Sequence, residues 1–231
     1  MKQTTIKIGY WAALICIFTF VIWTVCFIAI FKLNPFFRWT NLADFVVYSN
    51  NYNQAFKYIA QLTMLIFAPS FLVLLHCIDE YAQENQKTLS KISVCFGTIF
   101  TTCVSIHYFI QISSVRLSIA KGQINGLEQF IQSNPTSGIA GINMVGWTLF
   151  FSLSCLFIAP IFSGKKIFKI IKYAFIINGL FCILGGIGYL FDNIVIIFLT
   201  LNFGMGGSIL TSTIALYIFF KKLKHKELSS N

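Results

Sequence analysis

Charged residues are scarce in this sequence. Asp, Glu, Lys and Arg make up 10% of the 231 residues, whereas hydrophobic residues make up 57%, and the mean hydropathy is +0.77. Because a soluble domain covers its surface with roughly 25% charged residues, this composition excludes an ordinary soluble domain. Lipid is the solvent that suits such a chain, so the lipid bilayer is its first expected partner.

Acidic residues are the scarcer charged class, with 7 Asp and Glu against 17 Lys and Arg and a formal net charge of +10. A basic chain can bind nucleic acid, but these lysines cluster beside apolar segments instead of along one solvated face. Anionic lipid headgroups are the counter-charge that this distribution favours. No nucleic-acid partner is predicted.

Recognised catalytic and metal-binding motifs are also missing. The sequence contains neither G-x-S-x-G nor H-E-x-x-H. Its seven cysteines have no metal-ligand spacing and are expected to pack as small apolar side chains. His76 shares a helix face with Asp79 and Glu80, which is more typical of a solvated helix end than of a proton-handling site. We therefore predict no catalytic residue, no metal site and no cofactor.

Six apolar runs account for most of the chain, each near the ~20 residues that cross the hydrocarbon core as a helix. They predict an all-α fold, a polytopic transmembrane helical bundle that forms one domain over residues 1–231. The first run is too long for a signal-peptide core and no cleavage site follows it, so we expect it to be retained. The expected spans cover residues 10–31, 55–78, 92–115, 139–162, 167–190 and 194–220.

The lysines also predict how the bundle is oriented. With six spans, both termini and the connectors after the second and fourth runs lie on one side of the membrane. That side carries most of the basic residues, and the other side has Lys32, Arg38, Lys57, Arg116 and Lys121. Because the richer side stays in the cytoplasm, we expect both termini to be cytoplasmic. The expected location is the inner (cytoplasmic) cell membrane.

The third run carries the most polar face within the membrane. His107, Gln111 and Ser114 stand at i, i+4 and i+7, so a uniform α-helix places them in one stripe. Polar groups are costly in lipid unless they pair inside the bundle or face a wet cavity, so the stripe should point inward. It can bind a ligand or hydrogen-bond to neighbouring helices, and both alternatives stay open. Arg116 at the outer rim, able to pair with Asp192, would favour an anionic group there.

Local signals are found in the connectors and in the last two runs. Residues 36–54 are rich in aromatic and polar groups and suit a headgroup-level anchor or a lid, and Asn41 followed by Asp44 predicts a short helix. Small-xxx-small pairs such as Gly204 with Ser208 predict close packing of the last two helices. A locally unwound backbone is the alternative there.

Several short motifs occur together in the third run, the fourth run and the connector between them. They are Gln111, Val115-Arg116-Leu117-Ser118, the turn from Gln132 to Asn134-Pro135, and Ala159-Pro160 at the end of the fourth run. On these residues the chain resembles a group of uncharacterised six-helix bacterial membrane proteins. The resemblance covers about a fifth of the chain. It implies the topology and no activity.

Three functions fit these features, and we favour them in the following order. The first is binding or transport of a small, partly apolar molecule or a lipid, which enters from the outer face and meets the third run. The second is an accessory or structural subunit that binds another membrane protein. The third is an intramembrane enzyme, which needs a base such as His107 and a converging carboxylate, with Asp192 as the candidate.

Overall fold

The computed structural model describes residues 2–228, with side chains through residue 225. Within these residues the chain is all α and contains no β-strand. Six of the described helices are long and apolar enough to cross a membrane, as the sequence predicts. In chain order the helices are α1 (Gln3–Leu33), the short α2 (Leu42–Asn51), α3 (Ala55–Tyr81), α4 (Glu84–Ala120), α5 (Gly138–Ile161), α6 (Lys166–Leu190) and α7 (Ile194–His225).

Several helices extend beyond the expected spans. α1 begins at Gln3 instead of residue 10, and α4 covers residues 84–120 instead of 92–115. The added turns contain basic residues such as Lys7 and Lys87. Hydropathy marks only the part of a helix that suits hydrocarbon, whereas the backbone continues helically into the headgroup region, where lysines are solvated.

Large apolar side chains cover the outside of the bundle. On α1 the exposed fractions of Trp11, Phe18 and Val25 are 56%, 58% and 58%. Such a surface promotes association in water but is compatible with acyl chains. Together with the six apolar helices, it makes this chain a multi-pass integral membrane protein.

One end of the bundle, which we call the capped end, is covered by two connectors. The first connector (residues 34–54) contains α2, and the second connector (residues 121–137) follows α4. Both meet the end of α4 in a small apolar cluster of Phe45, Val115, Leu127 and Ile131. Tyr189, near the end of α6, donates a hydrogen bond of 2.6 Å to Pro135 O, so the link between α6 and α7 lies at the same end.

The opposite end, which we call the terminal end, contains the described ends of the chain. The hydroxyl groups of Tyr10 in α1 and Tyr217 in α7 lie 3.3 Å apart. Gln86 at the start of α4 donates a hydrogen bond of 3.1 Å to Pro160 O at the end of α5. The first and last described turns therefore lie on the side away from the connectors that form the cap.

Buried aromatic rings hold α3, α4 and α5 together. Phe67 and Phe71 of α3, Phe100 of α4 and Phe151 of α5 have no exposed surface. The rings of Phe100 and Trp147 lie 4.8 Å apart at 70°, an edge-to-face arrangement. These buried rings pack the three helices against one another.

The expected close packing of α6 and α7 is confirmed. Asn178 of α6 donates hydrogen bonds to Met205 O (3.1 Å) and Ser208 Oγ (3.2 Å) of α7. A Cβ added at Gly185 would lie 2.5 Å from Leu201, so the glycine permits this approach. The expected start of α2 is also confirmed, because Asn41 Oδ1 accepts a hydrogen bond of 2.9 Å from Asp44 N.

Candidate functional site

α4 changes its helical form where it reaches the capped end. Residues Gln111–Val115 form a π-helical turn, in which backbone hydrogen bonds close over five residues instead of four. Because the turn is wider, the residue after it that faces the bundle interior is Val115 and not Ser114. Val115 is 4% exposed, whereas Ser114 is exposed. The buried polar stripe therefore contains His107 and Gln111 but not Ser114, which lines a shallow surface pocket beside the second connector.

His107 is sealed inside the bundle with no exposed surface. Its Nδ1 lies 3.1 Å from Ile139 O, at the start of α5. The carboxamide of Gln132, from the second connector, lies near the imidazole. The Nε2 atom of His107 is buried without a hydrogen-bond partner among the described residues.

Gln111 attaches the second connector to α4. Its Nε2 donates a hydrogen bond of 2.6 Å to Phe130 O, and its Oε1 accepts one of 3.1 Å from Gln132 N. Both ends of the carboxamide are thus satisfied by connector backbone, with Gln111 only 2% exposed. Such pairing removes the cost of a polar side chain at this depth and holds the connector over α4.

The structure does not bring Arg116 and Asp192 into this buried group. Arg116 is exposed, and its Nε donates a hydrogen bond of 2.9 Å to Ile112 O of its own helix. Asp192 is exposed in the turn between α6 and α7, where its φ of 50° places it in the left-handed region. Of the five expected site residues, only His107 and Gln111 share one buried environment.

A cavity of about 350 Å³ lies at the capped end, next to the His107–Gln111 group. Its walls come from α1, α3 and both connectors, and Tyr108 of α4 contributes as well. Gln132 lines this cavity and also contacts Gln111, so one connector residue joins the cavity to the buried group. His107 itself does not line the cavity.

Polar side chains of α3 form one side of the cavity. Gln61 Nε2 donates a hydrogen bond of 2.8 Å to Gln132 Oε1. Gln61 is 3% exposed, and its Oε1 is buried without a partner among the described residues. Lys57, one turn earlier, also lines the cavity, and its Nζ lies 4.8 Å from the centre of the Phe45 ring.

Aromatic rings form the other side of the cavity. Trp23 and Phe27 of α1 stack with their centroids 5.2 Å apart, and Phe31 continues the row to Phe36 in the first connector. Tyr48 of α2 also lines the cavity, packs against the ring of Phe37 and donates a hydrogen bond of 3.2 Å to Pro35 O. Burial raises the pKa of the Tyr48 phenol, Tyr52 adds to the rise, and the Asn34 side chain lowers it.

The arrangement combines an apolar wall with a polar one. The polar wall contains the cation of Lys57 and the carboxamide of Gln61, whose Oε1 is buried without a partner, and none of the acidic side chains that the structure describes lines the cavity. The sequence interpretation missed Lys57 and Gln61, although they stand at i and i+4 within an apolar run. The rule that singled out α4, that polar residues in a span need a partner, applies equally to this pair.

Among the described side chains, no group of three or more His, Cys, Asp or Glu residues is arranged to hold a metal ion. The chain matches no protein-family model, and it matches no curated protein and no solved structure.

Proposed function

We propose that this protein binds a small amphiphilic molecule in the cavity at its capped end. The ligand presents an apolar body to the aromatic wall and a polar head to Lys57 and Gln61. The observation that carries the proposal is that Gln61, whose buried Oε1 has no partner among the described residues, lines the same cavity as Lys57.

The two polar groups define the head of the ligand. A buried acceptor without a partner costs about 1–3 kcal/mol, which a hydroxyl or N–H group of the ligand recovers. An ammonium at the membrane boundary pairs best with a carboxylate or a phosphate. The head is therefore an anion that also carries a hydrogen-bond donor.

The size of the cavity favours a small ligand. Small-molecule sites occupy roughly 300–1,000 Å³, and the volume of about 350 Å³ lies at the lower end of this range. Trp23, Phe27 and Phe31 offer flat apolar surfaces to a single ring or a short chain.

In this proposal His107 and Gln111 do not contact the ligand and instead stabilise the cavity wall from inside the bundle. Gln111 holds the second connector through two hydrogen bonds, and this connector places Gln132 against Gln61. Both residues are positioning residues, because neither lines the cavity. Arg116, Asp192 and Ser114 lie outside it.

Retention of the ligand in the extracted protein tests the proposal. We expect native mass spectrometry of protein in mild detergent to show a bound small molecule on the wild type. Lys57→Gln should lower its occupancy by about 10-fold or more, because a charge-assisted hydrogen bond contributes about 1.5–3 kcal/mol. Lys57→Arg should retain much of it, since the charge is kept.

Lys121→Gln is the matched control, because this exposed lysine belongs to the second connector but does not line the cavity. Its occupancy should equal that of the wild type, with thermal midpoints confirming that all variants are folded. A wild type that carries no small molecule in any mild detergent contradicts the proposal. So does equal occupancy in Lys57→Gln and Lys121→Gln.

The probes decanoate and decanol test the head of the ligand, because they share a chain and differ in the head: decanoate offers an anion to Lys57, whereas decanol offers only a neutral hydroxyl donor. We expect decanoate to raise the thermal midpoint of the wild type more than decanol does. This difference should disappear in Lys57→Gln. An equal effect of both probes on the wild type contradicts the anionic head.

We propose further that the capped end faces away from the cytoplasm and that both termini are cytoplasmic, in the inner (cytoplasmic) membrane. Of the 17 Lys and Arg in the sequence, five belong to the segments that the structure describes at the capped end: Lys32, Arg38, Lys57, Arg116 and Lys121. The positive-inside rule supports this orientation.

A membrane-impermeant maleimide tests the orientation in an intact bacterial expression host. Gln123 lies exposed in the second connector, and Gln83 lies exposed in the turn before α4 at the terminal end. We expect Gln123→Cys to be labelled and Gln83→Cys to stay at the wild-type background until the cells are opened. The reverse pattern overturns the orientation.

A further inference from the structure

A second groove lies on the lipid-facing side of the bundle, between α6 and α7. Its volume is about 760 Å³, against about 350 Å³ for the cavity at the capped end. α6 contributes residues from Lys166 to Phe181, and α7 contributes residues from Leu199 to Thr211. The groove is independent of the capped-end cavity, because the two share no lining residue.

Small residues give the groove its depth, and larger apolar residues form its sides. A Cβ added at Gly207 would meet no atom within 4 Å, so the missing side chain leaves open space. Ala174 is a second small residue of the lining. Ile170 and Ile177, with exposed fractions of 40% and 45%, border the groove along α6. The result is an apolar groove that follows the helix axis.

The length and direction of the groove match one leaflet of a bilayer. From Lys166 to Phe181, α6 rises about 22 Å at 1.5 Å per residue. One leaflet contributes about 15 Å of hydrocarbon, since the whole core is about 30 Å thick. The groove therefore begins in the headgroup region at the terminal end and runs across the adjoining leaflet.

The charges of the groove lie at its headgroup end. Lys166 and Lys169 line it there, both exposed, and its lining contains no acidic residue among those that the structure describes. The partial positive charge at the start of α6 adds to the field of these lysines. Two cations at the headgroup end of an apolar groove complement a lipid with an anionic headgroup.

We propose that this groove binds one anionic phospholipid from the leaflet at the terminal end. Its phosphate pairs with Lys166 and Lys169, and one acyl chain lies along α6 and over Gly207. The pair of lysines and the larger volume distinguish this site from the groove beside the exposed Lys7 at the same end, whose volume is about 310 Å³.

Lipid retention after extraction from vesicles of equal phosphatidylglycerol and phosphatidylcholine tests the site. Native mass spectrometry of the wild type should show one phosphatidylglycerol retained in preference to phosphatidylcholine. The double variant Lys166→Gln/Lys169→Gln should lose this preference by about 10-fold or more. Lys221→Gln/Lys222→Gln is the matched control, because it removes the same charge from exposed lysines that do not line the groove.

Gly207→Leu tests the acyl part of the site without a change of charge. The leucine fills open space, so we expect the protein to stay folded and the retained lipid to be lost. Gly141→Leu is its control, because an added Cβ there also meets no atom within 4 Å and Gly141 does not line the groove.

Three outcomes overturn the proposal. The first is equal retention of the two lipids by the wild type. The second is equal loss of phosphatidylglycerol from both lysine double variants, which shows a general effect of charge. The third is wild-type retention by folded Gly207→Leu, which shows that no acyl chain occupies the groove.

Discussion

Gln61 of α3 and Gln132 of the second connector share a side-chain hydrogen bond of 2.8 Å, although they stand 71 positions apart in the chain. The backbone N–H of Gln132 donates a second bond, of 3.1 Å, to Gln111 Oε1 of α4. One connector residue thus ties two membrane-spanning helices together at the capped end. It also forms part of the cavity wall, so the anchoring of the connector and the shape of the cavity depend on the same side chain.

Gln132→Leu should lower the free energy of unfolding by about 1–3 kcal/mol. The substitution leaves the buried Gln61 carboxamide with no partner for its Nε2, in addition to its unpaired Oε1. Equilibrium unfolding in detergent measures the loss. Gln123→Leu, at an exposed position of the same connector, should change stability by no more than about 0.5 kcal/mol.

The double variant Gln61→Leu/Gln132→Leu should recover part of that loss, because replacing both partners by apolar groups removes the unpaired group. Equal stability of Gln132→Leu and Gln123→Leu would show that the bond contributes nothing.

His107→Ala should destabilise the protein far more than Ser114→Ala, although both residues belong to the stripe expected from the sequence. His107 is fully buried and bonded to Ile139 O, so its removal should cost about 2–5 kcal/mol. Ser114 is exposed after the π-helical turn, so its substitution should cost no more than about 0.5 kcal/mol. Thermal unfolding of the two variants compares them, and similar losses would place Ser114 in the interior after all.

Gly9→Ala should destabilise the protein at the contact between α1 and α7. An added Cβ would lie 2.5–2.8 Å from three ring atoms of Phe220, which has no exposed surface. The ring has little room to move, and such overpacking costs about 1–3 kcal/mol. This exceeds the gain of about 0.5–1 kcal/mol that alanine brings to a helix interior.

Gly141→Ala is the control for this prediction, because its Cβ meets no atom within 4 Å. It should leave the unfolding midpoint unchanged or raise it. A midpoint for Gly9→Ala equal to that of Gly141→Ala contradicts the close approach of α1 to Phe220.

The Tyr48 phenol should ionise above the ordinary tyrosine pKa of about 10. Burial is the main cause of the raised pKa, and it favours the neutral phenol in the folded protein. Its stabilising contribution is therefore complete below about pH 10 and is lost as the pH rises through the folded pKa. The difference between the ultraviolet titrations of wild type and Tyr48→Phe isolates this group, and a midpoint at or below about 10 contradicts the prediction.

Much of the architecture could be predicted because its causes are local. A run of apolar residues must close its own backbone hydrogen bonds in lipid, so composition alone predicts helices and their number. Asn41 and Asp44 are three residues apart, and their capping bond needs nothing beyond that spacing. The inward direction of His107 and Gln111 follows similarly from the cost of a polar group in hydrocarbon.

The candidate site depended on contacts between distant parts of the chain. The π-helical turn at Gln111–Val115 moves Ser114 out of the buried stripe, and uniform helical spacing cannot foresee such a turn. The partners of Gln111 come from the second connector, whose position is set by an apolar cluster that includes Phe45 of α2. Composition and spacing by themselves established a six-helix membrane bundle, because each span satisfies its own backbone. The packing of two connectors onto that bundle created the cavity beside Lys57 and Gln61, because its walls belong to segments that meet only in the folded chain.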